Sequence, residues 1–159
     1  MYHNMILFTE LQYFHHVRCA MNSKLNKKEY ETLSNFRYQL RRFLRFSEQI
    51  SRKHGVTHLQ YLLMLHISGF PGRKWATISE LAERLQSHHH GVVSLVTRCE
   101  KLEIVFREQG QTDRREVTVH LTPKGEKILG KLARLHADEL LNLQGIFQVP
   151  GTSELAGTD

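Results

Sequence analysis

A mainly α fold carrying a small β-hairpin is the architecture this sequence predicts, and three patterns predict it. Long stretches repeat their apolar residues every three or four positions, the period of an amphipathic helix. One run, Glu116 to Leu121, alternates strictly instead, with Val117, Val119 and Leu121 on one side, as a strand does. Only three prolines and ten glycines occur in 159 residues, so little interrupts the helical pattern. At 40% hydrophobic and 24% charged, the composition is that of one globular domain and argues against a disordered or fibrous chain.

Residues 1–28 form an N-terminal arm. Residues 29–54 predict a long helix, with Leu33, Phe36, Leu40, Phe43 or Leu44, and Ile50 along one face and Gly55 as its stop. Thr57 is placed to cap a second helix, whose Leu59, Leu62, Leu63, Leu65 and Ile67 are apolar on most sides and therefore expected to be buried. The segment GFPGRKW breaks it, and Trp75-Ala76-Thr77 suits one short strand. Thr77 to Leu85 follows as a helix, with Ile78, Leu81, Ala82 and Leu85 inward and a capping box between Thr77 and Glu80. Gln86-Ser87-His88 is a tight polar connection.

From His89 to Glu103 the spacing predicts another helix. Val92, Leu95 or Val96, Cys99 and Leu102 face inward, and His90, Ser94, Thr97, Arg98 and Lys101 face outward. Ile104 to Arg107 is β-prone, Glu108 to Arg114 is a polar loop, and the alternating run closes a hairpin. Thr122-Pro123 supplies a cap and a first-turn proline for a last helix to Phe147. Pro150-Gly151 ends the order within a flexible tail, 148–159.

Two short helices joined by a tight turn and followed by a hairpin make a winged helix-turn-helix, here residues 55–121. The second helix of such a pair fits a DNA major groove, and a β-ribbon beside it reaches adjacent phosphates or the minor groove. The formal charge of +6 and a pI near 9.5 suit a polyanionic partner. Residues 73–121 nevertheless carry eight basic against seven acidic side chains, so binding there rests on the placement of a few groups.

At ISELAERL (78–85), VVSLVTRCEKLEIVFR (92–107) and TDRREVTVHLTPKGEKIL (112–129), the sequence resembles the MarR-type (multiple antibiotic resistance regulator) family of bacterial transcription factors. The last segment carries the family's Asp-x-Arg and Leu-Thr-x-x-Gly pattern as Asp113, Arg115, Leu121, Thr122 and Gly125. The resemblance covers roughly residues 33–140 and implies a homodimer. Its dimerisation helices would be 29–54 and 122–147, placing two winged parts on a palindromic operator of double-stranded DNA. It also implies release of DNA, in many relatives, by a small phenolic or aromatic effector.

The DNA-binding residues expected on this basis are His89, His90, Ser94, Arg98, Arg107, Arg114 and Arg115. Asp113 structures the wing by accepting hydrogen bonds from the Arg115 guanidinium, so that an arginine can approach a narrow minor groove. His88, His89 and His90 open the reading helix. Three successive helical residues diverge too much to ligate one metal, so the last two are read as DNA contacts whose affinity rises as pH falls toward 6.

A ligand cleft between the long helices and the winged part would be lined by Phe43, His58, Tyr61 and His66, with Phe46 and Trp75 as further candidates. All of these suit a core equally well. His15, His16 and Cys19 suggest a metal or redox cluster, against the simpler reading of an amphipathic arm, and Cys99 has core spacing. No metal or cofactor is expected. The two distant cysteines argue against a disulfide framework and suit a reducing compartment. No apolar run approaches the ~20 residues of a membrane span, and a soluble, cytoplasmic protein is expected.

No phosphate-binding glycine loop, nucleophile elbow, zinc-protease motif or paired-carboxylate arrangement appears, so an enzyme is not expected. The favoured function is a dimeric transcriptional regulator, a repressor released by an aromatic ligand or redox signal. The alternative is a winged-helix protein-protein interaction module without operator specificity.

Overall fold

The computed structural model describes residues 25–109, 117–144 and 150–151. Its elements in chain order are α1 (Lys27–Lys53), α2 (His58–Ser68), β1 (Trp75–Thr77), α3 (Ile78–Arg84), α4 (His89–Lys101), β2 (Val105–Gln109), β3 (Val117–Leu121) and α5 (Pro123–Asn142). The chain divides into two compact units, one of which is Arg42–Gln144; α1 contributes residues to both. In the other unit, the start of α1 is closed by a reciprocal cap: Glu29 N–H donates to Asn26 Oδ1 at 3.0 Å, and Asn26 N–H donates to Glu29 Oε2 at 2.6 Å. Among the described residues no helix is long and apolar enough to cross a membrane.

The core of Arg42–Gln144 is built around α2, whose Leu63, Met64 and Ile67 are fully buried. It continues through Leu81 of α3, Val92, Val96 and Cys99 of α4, Ile104, Val119 and Leu132. Leu59 departs from the expected burial and is 50% exposed, so one flank of the apolar α2 is left uncovered among the described residues. Strand β1 does more than stand alone. It pairs antiparallel with β3, Trp75 opposite His120 and Thr77 opposite Thr118, to make a three-stranded sheet in the order β1-β3-β2. In the hairpin, β2 continues to Gln109, two residues into the segment read as loop, because Glu108 and Gln109 pair with Thr118 and Val117.

Three helices end in the same way. After α1, Val56 N–H donates to Ser51 O and Gly55 N–H to Arg52 O, with Gly55 at φ +79°. The same pair of bonds closes α3 through Ser87 and Gln86, and α4 through Ile104 and Glu103. This motif needs one residue in the left-handed region, which glycine enters without steric cost. Gln86 at φ 48° and Glu103 at φ 58° occupy it with side chains. Glu103 therefore lies beyond α4 rather than in its last turn, and the helix is two residues shorter than the apolar spacing suggests.

The first turn of α5 sits directly on this corner. Thr122 N–H donates to Ile104 O at 3.2 Å, its hydroxyl donates to Glu103 O at 2.6 Å, and Gly125 N–H donates to the same hydroxyl oxygen at 3.1 Å. A Cβ at position 125 would fall 2.0 Å from the Ile104 carbonyl oxygen. Two predictions of opposite sign follow from this corner. Gly125→Ala must force backbone from backbone and is expected to cost about 3 kcal/mol in a denaturant titration. Glu103→Gly relieves a left-handed side chain at the expense of one exposed contact to Lys124, and is expected to stabilise by about 0.5–1 kcal/mol in the same assay.

Candidate nucleic-acid interface

The pair α3 and α4 is held from below and presented outward. Thr77 caps α3 as its sequence predicts: Glu80 N–H donates to Thr77 Oγ1 at 3.3 Å, and Thr77 N–H donates to Glu80 Oε2 at 2.8 Å. Burial alone would raise the Glu80 pKa. Hydrogen bonds from Thr77 and Arg73, with the Arg73 charge, outweigh it and hold the carboxyl below its ordinary value. Arg73 also lies over the Trp75 ring at 3.8 Å and the Phe70 ring at 4.2 Å, and Arg84 covers Phe70 at 4.5 Å. The loop before α3 is thereby fixed through a cation–aromatic stack.

Helix α4 buries Val92, Leu95, Val96 and Cys99 and exposes His90, Ser94, Thr97, Arg98 and Lys101, as the spacing predicts; Leu102, expected inward, falls at the C-cap beyond the last helical residue and is 38% exposed. The three histidines separate. The rings of His88 and His90 stack at 5.6 Å, within 6° of parallel, whereas His89 faces a groove of about 580 Å³ shared with Thr77, Ser79, Val93, Thr97, Arg107 and Val117. His88 occupies the N-cap without a side-chain capping bond. The Ser94 hydroxyl donates to His90 O at 3.1 Å.

Arg107 is engaged with α4 itself: its guanidinium pairs with Glu100 and donates to Val93 O and Thr97 Oγ1. It also forms one wall of the groove that His89 faces. Asp113, Arg114 and Arg115 lie outside the described residues, as do His15, His16 and Cys19.

Four of the residues proposed for an effector cleft converge, three directly and His58 through Ser47, and they converge on a side chain absent from that proposal. His136 of α5 stacks on Tyr61 at 4.2 Å and receives the edges of Phe43 and Phe46 at 6.3 and 5.8 Å. Its Nε2 is 2.6 Å from Ser47 Oγ, which in turn is 2.9 Å from His58 Nδ1. The contacts gathered on His136 do not include His66 or Trp75. Burial, helped by the Arg84 charge, pushes the His66 pKa down, and Trp75 stacks on Arg73.

Burial pushes the His58 pKa down; Glu48 opposes this and His136 adds to it. Burial likewise raises the Tyr61 hydroxyl. The signal for His136 was present in the sequence, since the buried stripe of α5 is Gly125, Leu129, Leu132, His136. A histidine stands where the three-and-four spacing calls for an apolar residue. Cys99 is fully buried, and burial pushes its thiol up to about 12, so it is inert packing.

The sequence profile of the MarR family matches residues 54–116. The HTH-type transcriptional regulator MgrA of Staphylococcus aureus is 32% identical over 117 residues, 71% of this chain and 75% of MgrA. A protein of Thauera aromatica named for transcriptional regulation of the hcr operon is 29% identical over 96 residues, 60% of this chain, and the match spans only 56% of that relative. Among solved structures, AbsC, a MarR family transcriptional regulator from Streptomyces coelicolor, superimposes with a TM-score of 0.69 at 22% identity, covering 81% of this chain and 86% of AbsC. NadR in complex with 4-hydroxyphenylacetate gives 0.62 at 19% identity, with 70% of this chain and 77% of NadR covered. A short helix pair with an outward polar face, a hairpin bonded beside it, and this identity across three quarters of MgrA lead to one conclusion: the chain belongs to the MarR family of winged helix-turn-helix, DNA-binding transcriptional regulators.

Proposed function

We propose that the protein acts as a homodimer that binds a palindromic operator through α4 and the wing of each subunit and represses transcription until a small aromatic ligand releases it. The observation that favours this most is the outward face of α4. His90, Ser94, Arg98 and Lys101 lie along it, and His89 opens into a groove walled by Arg107 and Val117 of the hairpin. A face of donors and cations beside a groove suits base edges in a major groove with the phosphate strand running alongside. Arg114 and Arg115, at the turn of the hairpin in sequence, are assigned to the minor groove or its phosphates, with Asp113 ordering them.

An aromatic effector is favoured by the rings around His136, by the two neutral-leaning polar groups beside them, and by the ligand in NadR. Cys99 is fully buried, so Cys19 is the thiol to examine for a redox signal.

Selection of bound duplexes from random DNA tests the proposal. Enrichment of an inverted repeat whose half-sites are centred about one helical turn apart, with binding that weakens steeply with salt, is the expected outcome. Recovery of no preferred sequence, with a protein partner co-purifying instead, would overturn it. Titration of phenolic acids into the complex then reads the effector.

Acidity should act on the stability of the free protein. His58 and His66 have folded pKa values below the ordinary 6.5, so the unfolded chain binds more protons and their contribution to stability, complete above about pH 6.5, is lost as pH falls. Melting of the free protein should therefore shift to lower temperature as pH falls below about 6.5, and a transition that stays in place over that range overturns this account of the two histidines.

A further inference from the structure

Glu100 is a carboxylate on the helix assigned to DNA, and such a charge should weaken binding to a polyanion. Its environment points the other way. Both of its oxygens are turned to one residue of the neighbouring strand: Oε1 accepts from the Arg107 backbone N–H at 3.1 Å, and Oε2 pairs with the Arg107 guanidinium. The other end of that guanidinium is equally occupied. Nη2 donates to Val93 O at 2.9 Å and to Thr97 Oγ1 at 3.0 Å, which uses both of its hydrogens.

Val93, Thr97 and Glu100 stand four and three residues apart, so they form one line along α4. Arg107 lies along that line as a strap, and it is the third residue of β2, paired in register with Val119. The strand by which the chain enters the wing is therefore tied to two turns of the reading helix by one planar side chain. An arginine fork fixes both distance and angle, whereas a lysine supplies only a point charge.

Resting on the DNA-binding reading above, we propose that Arg107 is a positioning residue: through Glu100 it sets the angle between the wing and α4, so that both meet the duplex together, and Glu100 raises DNA affinity despite its charge. The clamp is three-quarters shielded on the arginine side, with 27% of the Arg107 side chain and 30% of the Glu100 side chain exposed, so substitution leaves the core intact.

The two roles open to Arg107 predict opposite signs for one substitution. If Arg107 served as a direct phosphate contact, Glu100→Gln would remove a repulsive charge and tighten binding, and Arg107→Lys would keep most of the affinity. If it positions the wing, Glu100→Gln weakens operator binding about tenfold, Arg107→Lys does not rescue Arg107→Gln, and the double variant Glu100→Gln, Arg107→Gln binds no worse than either single one.

Amide exchange of the free protein provides a second readout that needs no DNA. Val105 to Gln109 should exchange faster in Glu100→Gln and Arg107→Gln, while the buried amides of α4 keep their protection. Affinity that is unchanged or higher in Glu100→Gln, or exchange in β2 that does not move, overturns the assignment. A wild-type protein that selects no duplex would instead overturn the DNA-binding reading, and the exchange experiment would still report whether the clamp holds the wing.

Discussion

The structure turns on a backbone-to-backbone contact that no side chain mediates. The α-carbon of Gly125 lies so close to the Ile104 carbonyl that a single added carbon has no room. Around that contact the end of α4, the start of β2 and the first turn of α5 share their hydrogen bonds, with Thr122 serving all three: it caps α5, donates to Ile104 O from its backbone and to Glu103 O from its hydroxyl. With α5 pinned where α4 ends, the chain leaves that corner into β2, which is bonded back to α4 through Arg107 and Glu100. The Leu-Thr-x-x-Gly pattern is thus a description of packing. Threonine supplies a donor and an acceptor at one point, and glycine supplies an absence.

A second polar arrangement joins α1, α2 and α5, and its direction can be worked out from donors and acceptors alone. His136 Nδ1 is 2.7 Å from Leu132 O, a carbonyl that can only accept, so Nδ1 carries a hydrogen. In the neutral ring Nε2 is then an acceptor, and the Ser47 hydroxyl must donate to it. With its one hydrogen spent, Ser47 Oγ accepts from His58 Nδ1. The three hydrogen bonds thus run one way, from His58 through Ser47 and His136 to the Leu132 carbonyl, while burial holds the His58 pKa down. One turn further along α1, the Ser51 hydroxyl is buried with no partner among the described residues, so the satisfaction at Ser47 is specific to the two rings that meet there.

Local chemistry was legible in the sequence, and chemistry that needs two distant segments was not. Thr57, Thr77 and Thr122 each cap the helix that follows, and Gly55 takes the left-handed conformation its position suggests, because caps and stops are decided within four residues. The outward face of α4 was readable for the same reason. The pairing of β1 with β3, the extension of β2 to Gln109 and the exposure of Leu59 depend on which segment comes alongside, and periodicity carries no such information. Convergence of Phe43, His58 and Tyr61 is open to suspicion from aromatic content, but the residue that gathers them, His136, stands in the sequence as one polar position in a leucine-rich helix.

Charge shows the same division between composition and placement. The near balance of acids and bases in residues 73–121 suggests a weak field over the reading helix, yet the balance is struck in pairs. Glu80 is held by Arg73 and Glu100 by Arg107. Each of these two pairings cancels an acid against a base already committed to structure. Arg98 and Lys101 remain exposed on α4 and set the sign of that face. A protein that reads DNA by placement gains from this economy: a diffuse positive surface would hold any duplex, whereas two cations on a helix held at a fixed angle to its wing favour the one whose groove matches that angle.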